Sequence, residues 1–197
     1  MKFILASNNK GKLKEMKAIF EAMGHELISQ SEAGLSLEAE ETGESFEENA
    51  LIKARAAAKA LPFPAVSDDS GLVVDALSGL PGVHSARYGG EACKNDGERV
   101  AFLLKNMQGE KNRSARFVSC IACVFPNGDE ITSEGSCEGS ISFAPRGENG
   151  FGYDPVFLLP SGKTMAEITD SEKNRISHRA VALRNFETKL REYYADK

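Results

Sequence analysis

The chain has no tryptophan, and that absence decides nothing about its class. It also has no uninterrupted apolar run near the length of a bilayer span, which excludes a membrane-crossing helix from this reading. The nearest approach to a targeting signal is the start, Met1-Lys2-Phe3-Ile4-Leu5-Ala6-Ser7, where a lysine precedes apolar residues. That stretch ends at Asn8-Asn9-Lys10 and is too short for a signal peptide, so the chain is expected in the cytoplasm. Positive charge is not in excess either. Lys and Arg number 24 against 29 Asp and Glu, a net charge of −5, which argues against a nucleic acid polymer as partner. A small anionic ligand stays open. It would need a local cluster of Lys, Arg, backbone N–H groups and a divalent cation to offset a mildly repulsive field.

Cysteine is sparse, at 93, 120, 123 and 137, and the one tight spacing is Cys120-Ile121-Ala122-Cys123. Phe117 to Phe125 reads as a strand, in which positions three apart point to opposite faces. The spacing therefore predicts diverging, buried free thiols rather than a metal or disulfide pair. At 197 residues the chain suits one compact unit, with room for two lobes.

The stretch that organises the rest is Ala65-Val66-Ser67-Asp68-Asp69-Ser70-Gly71-Leu72-Val73-Val74. Apolar runs on both sides imply sheet interior, and carboxylates there are costly unless a cation or hydrogen bonds hold them. Ser70-Gly71 predicts a turn just after the pair, which puts two carboxylates at the lip of a sheet with a further strand over Leu72 to Ala76. An Asp-rich turn and a metal site are both open on this stretch alone.

Lys2 to Ala6 reads as a first strand, Ser7 to Lys12 as a polar loop, and Leu13 to Met23 as a helix with Leu13, Met16, Phe20 and Met23 inward, ended by Gly24. The loop Ser7-Asn8-Asn9-Lys10-Gly11-Lys12 lies where backbone donors at a helix start meet phosphate. It is not a P-loop, since Ala6 and Leu13 replace the required Gly and Ser or Thr. A solvated turn is the alternative for it. Glu26 to Ser29 suggests a second strand. Ser45 and Glu48 have capping-box spacing, so a helix is expected from Ser45 to Ala60, carrying Lys53. Ahead of it, Glu40 and Glu41 fit dipole complementation on spacing alone, and a hydrated Mg²⁺ site is the other use.

Gly79 to Gly90 is too rich in glycine for a helix and long for a connection, hence a functional-loop candidate. Glu98 to Met107 reads as a helix, with Val100, Leu103, Leu104 and Met107 inward. Arg116 to Phe125 and Glu130 to Ser136 make a hairpin, with Glu138 to Phe143 as a continuing strand. Gly147-Glu148-Asn149-Gly150-Phe151-Gly152-Tyr153-Asp154 then offers two aromatics on a glycine-rich loop before a strand at Val156 to Leu159. Such aromatics suit stacking on a planar base, and packing the loop on its own core is the commoner use. Thr169 to Glu172 is a second capping box, opening a turn with Lys173 and Arg175. Ser177-His178-Arg179 begins the last helix, whose Leu183, Phe186, Leu190 and Tyr194 form the inward stripe.

These pieces together resemble the inosine triphosphate pyrophosphatase family, also called XTP/dITP diphosphatases. The resemblance is carried by the Ser7–Lys12 loop, Glu40-Glu41-Thr42-Gly43 with Phe46 and Glu48-Asn49-Ala50, Asp68 to Leu72, Pro81 to Tyr88, Gly150 to Pro155 and Ser177-His178-Arg179, in family order from residue 3 to the last helix. It implies an α/β fold with a twisted mixed β-sheet flanked by helices, a single domain over 1–197 of two lobes with a central cleft, and a homodimer. It further implies Mg²⁺-dependent hydrolysis of non-canonical purine nucleoside triphosphates to monophosphate plus pyrophosphate. By residue, it implies Asp69 as catalytic acid and metal ligand, with Asp68 and Glu40 or Glu41 as metal or water partners. The loop Ser7, Asn8, Asn9, Lys10, Gly11 and Lys12, with Lys53, would bind the triphosphate, and Ser70 would touch substrate. Phe151, Gly152, Tyr153, Asp154, Lys173, His178 and Arg179 would form the base pocket.

The chemistry suits these residues. Water attacks the α-phosphorus in line while charge gathers on the leaving pyrophosphate, so positioning and cations dominate. Inosine and xanthine carry a carbonyl at position 6 where adenine carries an amino group, so donors at Lys173, His178 and Arg179 would favour the former. Guanine shares that carbonyl, and its rejection must act at position 2. Three other readings compete: a Maf-like pyrophosphatase of modified pyrimidine triphosphates, which usually has paired arginines missing here, an aspartyl-phosphate phosphotransferase using Asp68 or Asp69, and a non-catalytic nucleotide-binding protein.

Overall fold

The computed structural model describes residues 1–195. Its strands are β1 (Lys2–Leu5), β2 (Glu26–Ser29), β3 (Ala65–Val74), β4 (Ser114–Val124), β5 (Glu130–Ile141) and β6 (Phe157–Leu158). Its α-helices are α1 (Lys10–Ala22), α2 (Phe46–Ala58), α3 (Asp96–Asn106), α4 (Asp170–Ile176) and α5 (His178–Ala195). The strands hydrogen-bond in the order β2-β1-β3-β4-β5-β6. β1 runs parallel to β2, with Lys2 opposite Glu26, and parallel to β3, with Ile4 opposite Ala65. β5 and β6 are antiparallel, so the sheet is mixed and flanked by helices, as the resemblance implied.

The chain divides into two compact units. The first comprises Met1–Asp69, Ser119–Gly135 and the chain from His178 on, and the second comprises Ser70–Val118 and Ser136–Ser177. In the first, the apolar faces of α1 and α5 supply Met16, Phe20, Leu183, Phe186 and Leu190 to a core with Phe3 and Leu5 of β1. Phe3, Phe20 and Phe186 are fully buried, and burying each side chain contributes roughly 1.5–3 kcal/mol. Phe3 meets Phe20 and Phe186 edge-on, with centroids 5.4 and 6.2 Å apart, the geometry aromatic quadrupoles favour. A second cluster of this unit sets the small residues Ala50 and Ala54 of α2 against Cys120 and Ala122 of β4. The second unit has its own core, built from Leu72, Val100, Leu103, Phe117, Phe157 and Met165 among others.

Several boundaries differ from expectation for local reasons. α1 starts at Lys10, because Asn9 serves as N-cap and its side chain accepts the Lys12 N–H. The polar loop is therefore Ser7 to Asn9, and Lys10, Gly11 and Lys12 form the first helical turn. β3 runs unbroken through Asp68, Asp69, Ser70 and Gly71. There is no turn after the carboxylates, and they are strand residues rather than lip residues. Gly82–Arg87 folds as a 3₁₀ segment within a loop expected to avoid helix, and β5 is one strand rather than two. On α5, Tyr194 is 43% exposed. Tyr193 instead stacks on Phe125 at 4.3 Å and 19°.

Cys120 and Cys123 fall in different clusters of the first unit, as strand alternation requires, and both are buried free thiols. Burial pushes the Cys120 thiol up to about 12. Among the described residues, no helix is long and apolar enough to cross a membrane.

Candidate active site

Successive residues of a strand point to opposite faces, so Asp68 and Asp69 find different partners although they are adjacent in sequence. Asp68 is 1% exposed. Its Oδ1 accepts the Ser119 hydroxyl. Its Oδ2 takes Lys12 Nζ at 2.9 Å and Arg179 through Nη2 at 3.0 Å and Nε at 3.3 Å. Arg179, itself fully buried, sends its remaining nitrogen, Nη1, to Glu15 on α1. Burial alone would raise the Asp68 carboxyl. Arg179 and Lys12 overcome that and hold it well below the usual carboxylate range.

Asp69 faces Lys53, whose Nζ lies 2.6 Å from its Oδ1, 2.9 Å from Glu41 Oε1 and 3.1 Å from the Asp68 carbonyl oxygen. Lys12 Nζ donates to that same carbonyl at 3.2 Å. Two ammonium groups thus converge on one backbone oxygen of β3. Burial lowers the Lys53 ammonium, but Asp69 and Glu41 outweigh it and raise it above its ordinary value. Burial raises Asp69, and Lys53 does not fully cancel the shift. Lys53 gains two carboxylates, whereas Asp69 shares Lys53 with Glu41; Lys12 also lowers the Asp69 carboxyl and Glu41 raises it, and burial prevails. Lys12 is lowered, by burial first and then by Lys53 and Arg179, against the pull of Asp68.

The second unit holds another buried pair. Asp154 and Lys173 are 2% and 3% exposed, and Lys173 Nζ lies 2.5 Å from Asp154 Oδ2. The same oxygen accepts the Phe151 N–H at 2.9 Å, and Nζ stands 4.8 Å from the centroid of the Phe151 ring. Gly150 is required here. Its φ is +75°, and a Cβ would fall 2.0 Å from Asp154 Oδ2. Gly152 donates its N–H to Asp96 at 2.8 Å. Tyr153 is buried in the second core, with its hydroxyl bonded to the Ser85 carbonyl at 2.8 Å. Its ring therefore packs in that core, the commoner of the two uses open for an aromatic on this loop.

The remaining expected residues are placed as follows. Ser7 accepts the Asn9 N–H at 3.2 Å, Asn8 accepts the Gln30 amide at 2.6 Å, and Lys10 is exposed in the first turn of α1 beside Gly11. Of the two glutamates, Glu41 meets Lys53 and Glu40 is exposed. Ser70 is half-buried on β3, and His178 is buried at the start of α5. Arg179, expected among base-pocket donors, has all three guanidinium nitrogens engaged by Asp68 and Glu15. Sequence reading missed Glu15, Ser119 and Asp96. Glu15 had a signal, since it lies three residues beyond Lys12 on one helix face. Ser119 had a weaker one, as a hydroxyl inside an apolar strand.

Among the described residues, no three His, Cys, Asp or Glu side chains are grouped to hold a metal ion. Hydrated Mg²⁺ needs only one or two carboxylates plus substrate phosphate and water, and Glu41 with Asp69, already sharing one cation, fits that donor set. Asp68 does not, because a hydroxyl, an ammonium and a guanidinium engage its oxygens.

The Ham1 family model matches residues 3–189. A dITP/XTP pyrophosphatase of Geobacillus kaustophilus is 49% identical over 196 residues, covering 98% of this chain and 94% of the relative. The solved Ham1 protein of Staphylococcus aureus superposes with a TM-score of 0.86 at 41% identity, covering 98% of this chain and all of that one. A HAM1 protein from Coxiella burnetii gives 0.86 at 43%, covering 98% and 99%. A match over nearly the whole length, in sequence and in fold, bears out the resemblance carried by the motifs: the chain belongs to the Ham1 family.

Proposed function

We propose that this protein hydrolyses non-canonical purine nucleoside triphosphates, dITP, ITP and XTP, to the nucleoside monophosphate and pyrophosphate, and so cleanses the nucleotide pool. The observation that carries this reading is the setting of Asp69. One oxygen is held by Lys53, and Oδ2 takes no hydrogen bond from the described residues. A carboxylate so placed, raised above its ordinary value by burial, is suited to accept a proton from an attacking water. The names of the relatives support the substrate class.

In the mechanism we infer, Asp69 orients water against the α-phosphorus and takes its proton as the new P–O bond forms. The bond from the α-phosphorus to the bridging oxygen breaks, and that oxygen leaves with pyrophosphate. Lys12 and Lys53, converging on the Asp68 carbonyl, lie ready to neutralise the leaving charge, with the N–H groups of the α1 first turn and Ser7 and Asn9 binding the phosphates. Mg²⁺, held by Asp69 and Glu41 with Glu40 as their neighbour in sequence, would add a Lewis acid at the phosphates. Asp68 sets the lysines rather than reacting. Lys173 and His178 are the proposed donors to the 6-carbonyl of the base, Asp154 fixes Lys173, and the Phe151 ring packs on the purine. Ser70 contacts the substrate beside Asp69. The proposal extends to a cytoplasmic homodimer of two-lobed subunits, which rests on the family resemblance.

Hydrolysis of dITP in ¹⁸O-water with Mg²⁺ tests the site of attack. The label should enter deoxyinosine monophosphate and not pyrophosphate, and EDTA should stop turnover. Label in free orthophosphate, with a diphosphate product, would refute the assignment.

A further inference from the structure

We infer that Glu15 is a positioning residue for the reaction: through Arg179 it fixes Asp68, and through Asp68 it fixes the ammonium of Lys12. The inference rests on the proposed phosphate role of Lys12. Four charged groups form a chain of ion pairs of alternating sign. Lys12 pairs with Asp68 at 2.9 Å, Asp68 with Arg179 at 3.0 Å, and Arg179 with Glu15, which lies three residues beyond Lys12 on α1. One helix thus supplies both ends of this chain of pairs, and β3 and α5 supply the middle. The side chains are 14%, 0%, 1% and 12% exposed in that order.

The physical need for Glu15 follows from the count. Without it, one buried carboxylate would face two cations, and a buried charge lacking its partner is strongly unfavourable. With it the chain of pairs is neutral, and Arg179 divides its guanidinium, Nε and Nη2 to Asp68 and Nη1 to Glu15. A fork held at both ends cannot pivot. Asp68 Oδ2 therefore stays where Lys12 Nζ reaches both it and the Asp68 carbonyl at 3.2 Å. Displacing a phosphate-binding ammonium by about 1 Å typically costs on the order of 10²-fold in rate. Ser119, donating to Oδ1 of Asp68, constrains the same carboxylate from the other side.

A kinetic cycle tests this. Wild type, Glu15→Gln, Glu15→Asp, Lys12→Met and Glu15→Gln/Lys12→Met would be compared for kcat and KM on dITP, for the affinity of inorganic pyrophosphate by calorimetry, and for Tm. We expect Glu15→Gln to lower kcat/KM about 10²-fold and Glu15→Asp, which keeps the charge, to recover most of the loss. The double variant should be about as slow as Lys12→Met, because Glu15 acts through Lys12. A Glu15→Gln within twofold of wild type, a Glu15→Asp as slow as Glu15→Gln, or a double variant slower by the full product of the single losses would overturn the inference. Should Glu15→Gln fail to fold, Glu15→Asp takes its place in the cycle with Lys12→Met. A wild type that binds pyrophosphate without turning over dITP would refute the proposed activity alone, and the cycle would then be read on pyrophosphate affinity. Neither binding nor turnover would refute both.

Discussion

Arg179 meets Asp68 through two nitrogens on one carboxylate oxygen, Nη2 at 3.0 Å and Nε at 3.3 Å, with both side chains essentially removed from water. Both residues belong to the first unit. Asp68 pairs with Arg179 and Lys12, and Asp69 does the chemistry in the proposed mechanism. Removing one partner of a buried pair costs about 3–5 kcal/mol. Asp68→Asn should therefore unfold at markedly lower urea than wild type, whereas Asp69→Asn should stay close to it.

The same pair sets an acid dependence. The folded Asp68 carboxyl is depressed by Arg179 and Lys12 against the opposing effect of burial, relative to an unfolded value of about 3.9. A depressed carboxylate contributes stability that is fully present above the unfolded value and is lost as pH falls through the folded one. The deficit of Asp68→Asn relative to wild type should be constant from pH 8 to about 5 and shrink below about 4. Urea titrations of both proteins across that range would show it; a deficit that shrinks between pH 8 and 6 would assign it to another group.

Lys173 and its neighbours govern affinity and base choice in this account. Gly150→Ala would drive a Cβ to 2.0 Å from Asp154 Oδ2 and 3.2 Å from Lys173 Nζ. The expected result is a KM for dITP raised about tenfold or more with a smaller change in kcat, the signature of lost uniform binding. Lys173→Met should lower the preference for dITP over dATP, which a buried donor can hold as high as ~10⁴. Steady-state kinetics on both nucleotides decide each case.

The thiols offer a negative test. Cys120 and Cys123 are buried on different sides of β4, and burial raises both well above the reactive range. Native protein should leave both unalkylated by iodoacetamide at pH 8 while urea-unfolded protein reacts at both, and dithiothreitol should not shift the Tm.

Much of this was legible in the sequence. The 3.6-residue spacing of Met16 and Phe20, the capping boxes at Ser45 and Thr169, and the alternation of β4 each follow from local rules that the fold obeys. So does the presence of cations near the aspartates. The partner of each aspartate was not legible, because pairing Asp68 with Arg179 joins residues 111 apart in the chain and no local pattern encodes that distance. The turn expected at Ser70-Gly71 failed for the same reason. Turn chemistry at two residues yields to a strand that runs from Ala65 to Val74 and lies between β1 and β4 in the sheet. Of the two uses open for Tyr153, its hydroxyl bonded to Ser85 shows packing, which the glycine-rich setting alone did not select.

In the proposed mechanism Asp69 activates water for release of pyrophosphate from a purine triphosphate bearing a 6-carbonyl. Its most direct test is the rate of pyrophosphate release from dITP and dATP with Mg²⁺, for wild type and Asp69→Asn side by side. Wild type should strongly prefer dITP, and Asp69→Asn should lose about 10²–10⁴-fold in rate with the fold intact. Equal rates on the two nucleotides, or an Asp69→Asn enzyme as fast as wild type, would contradict it.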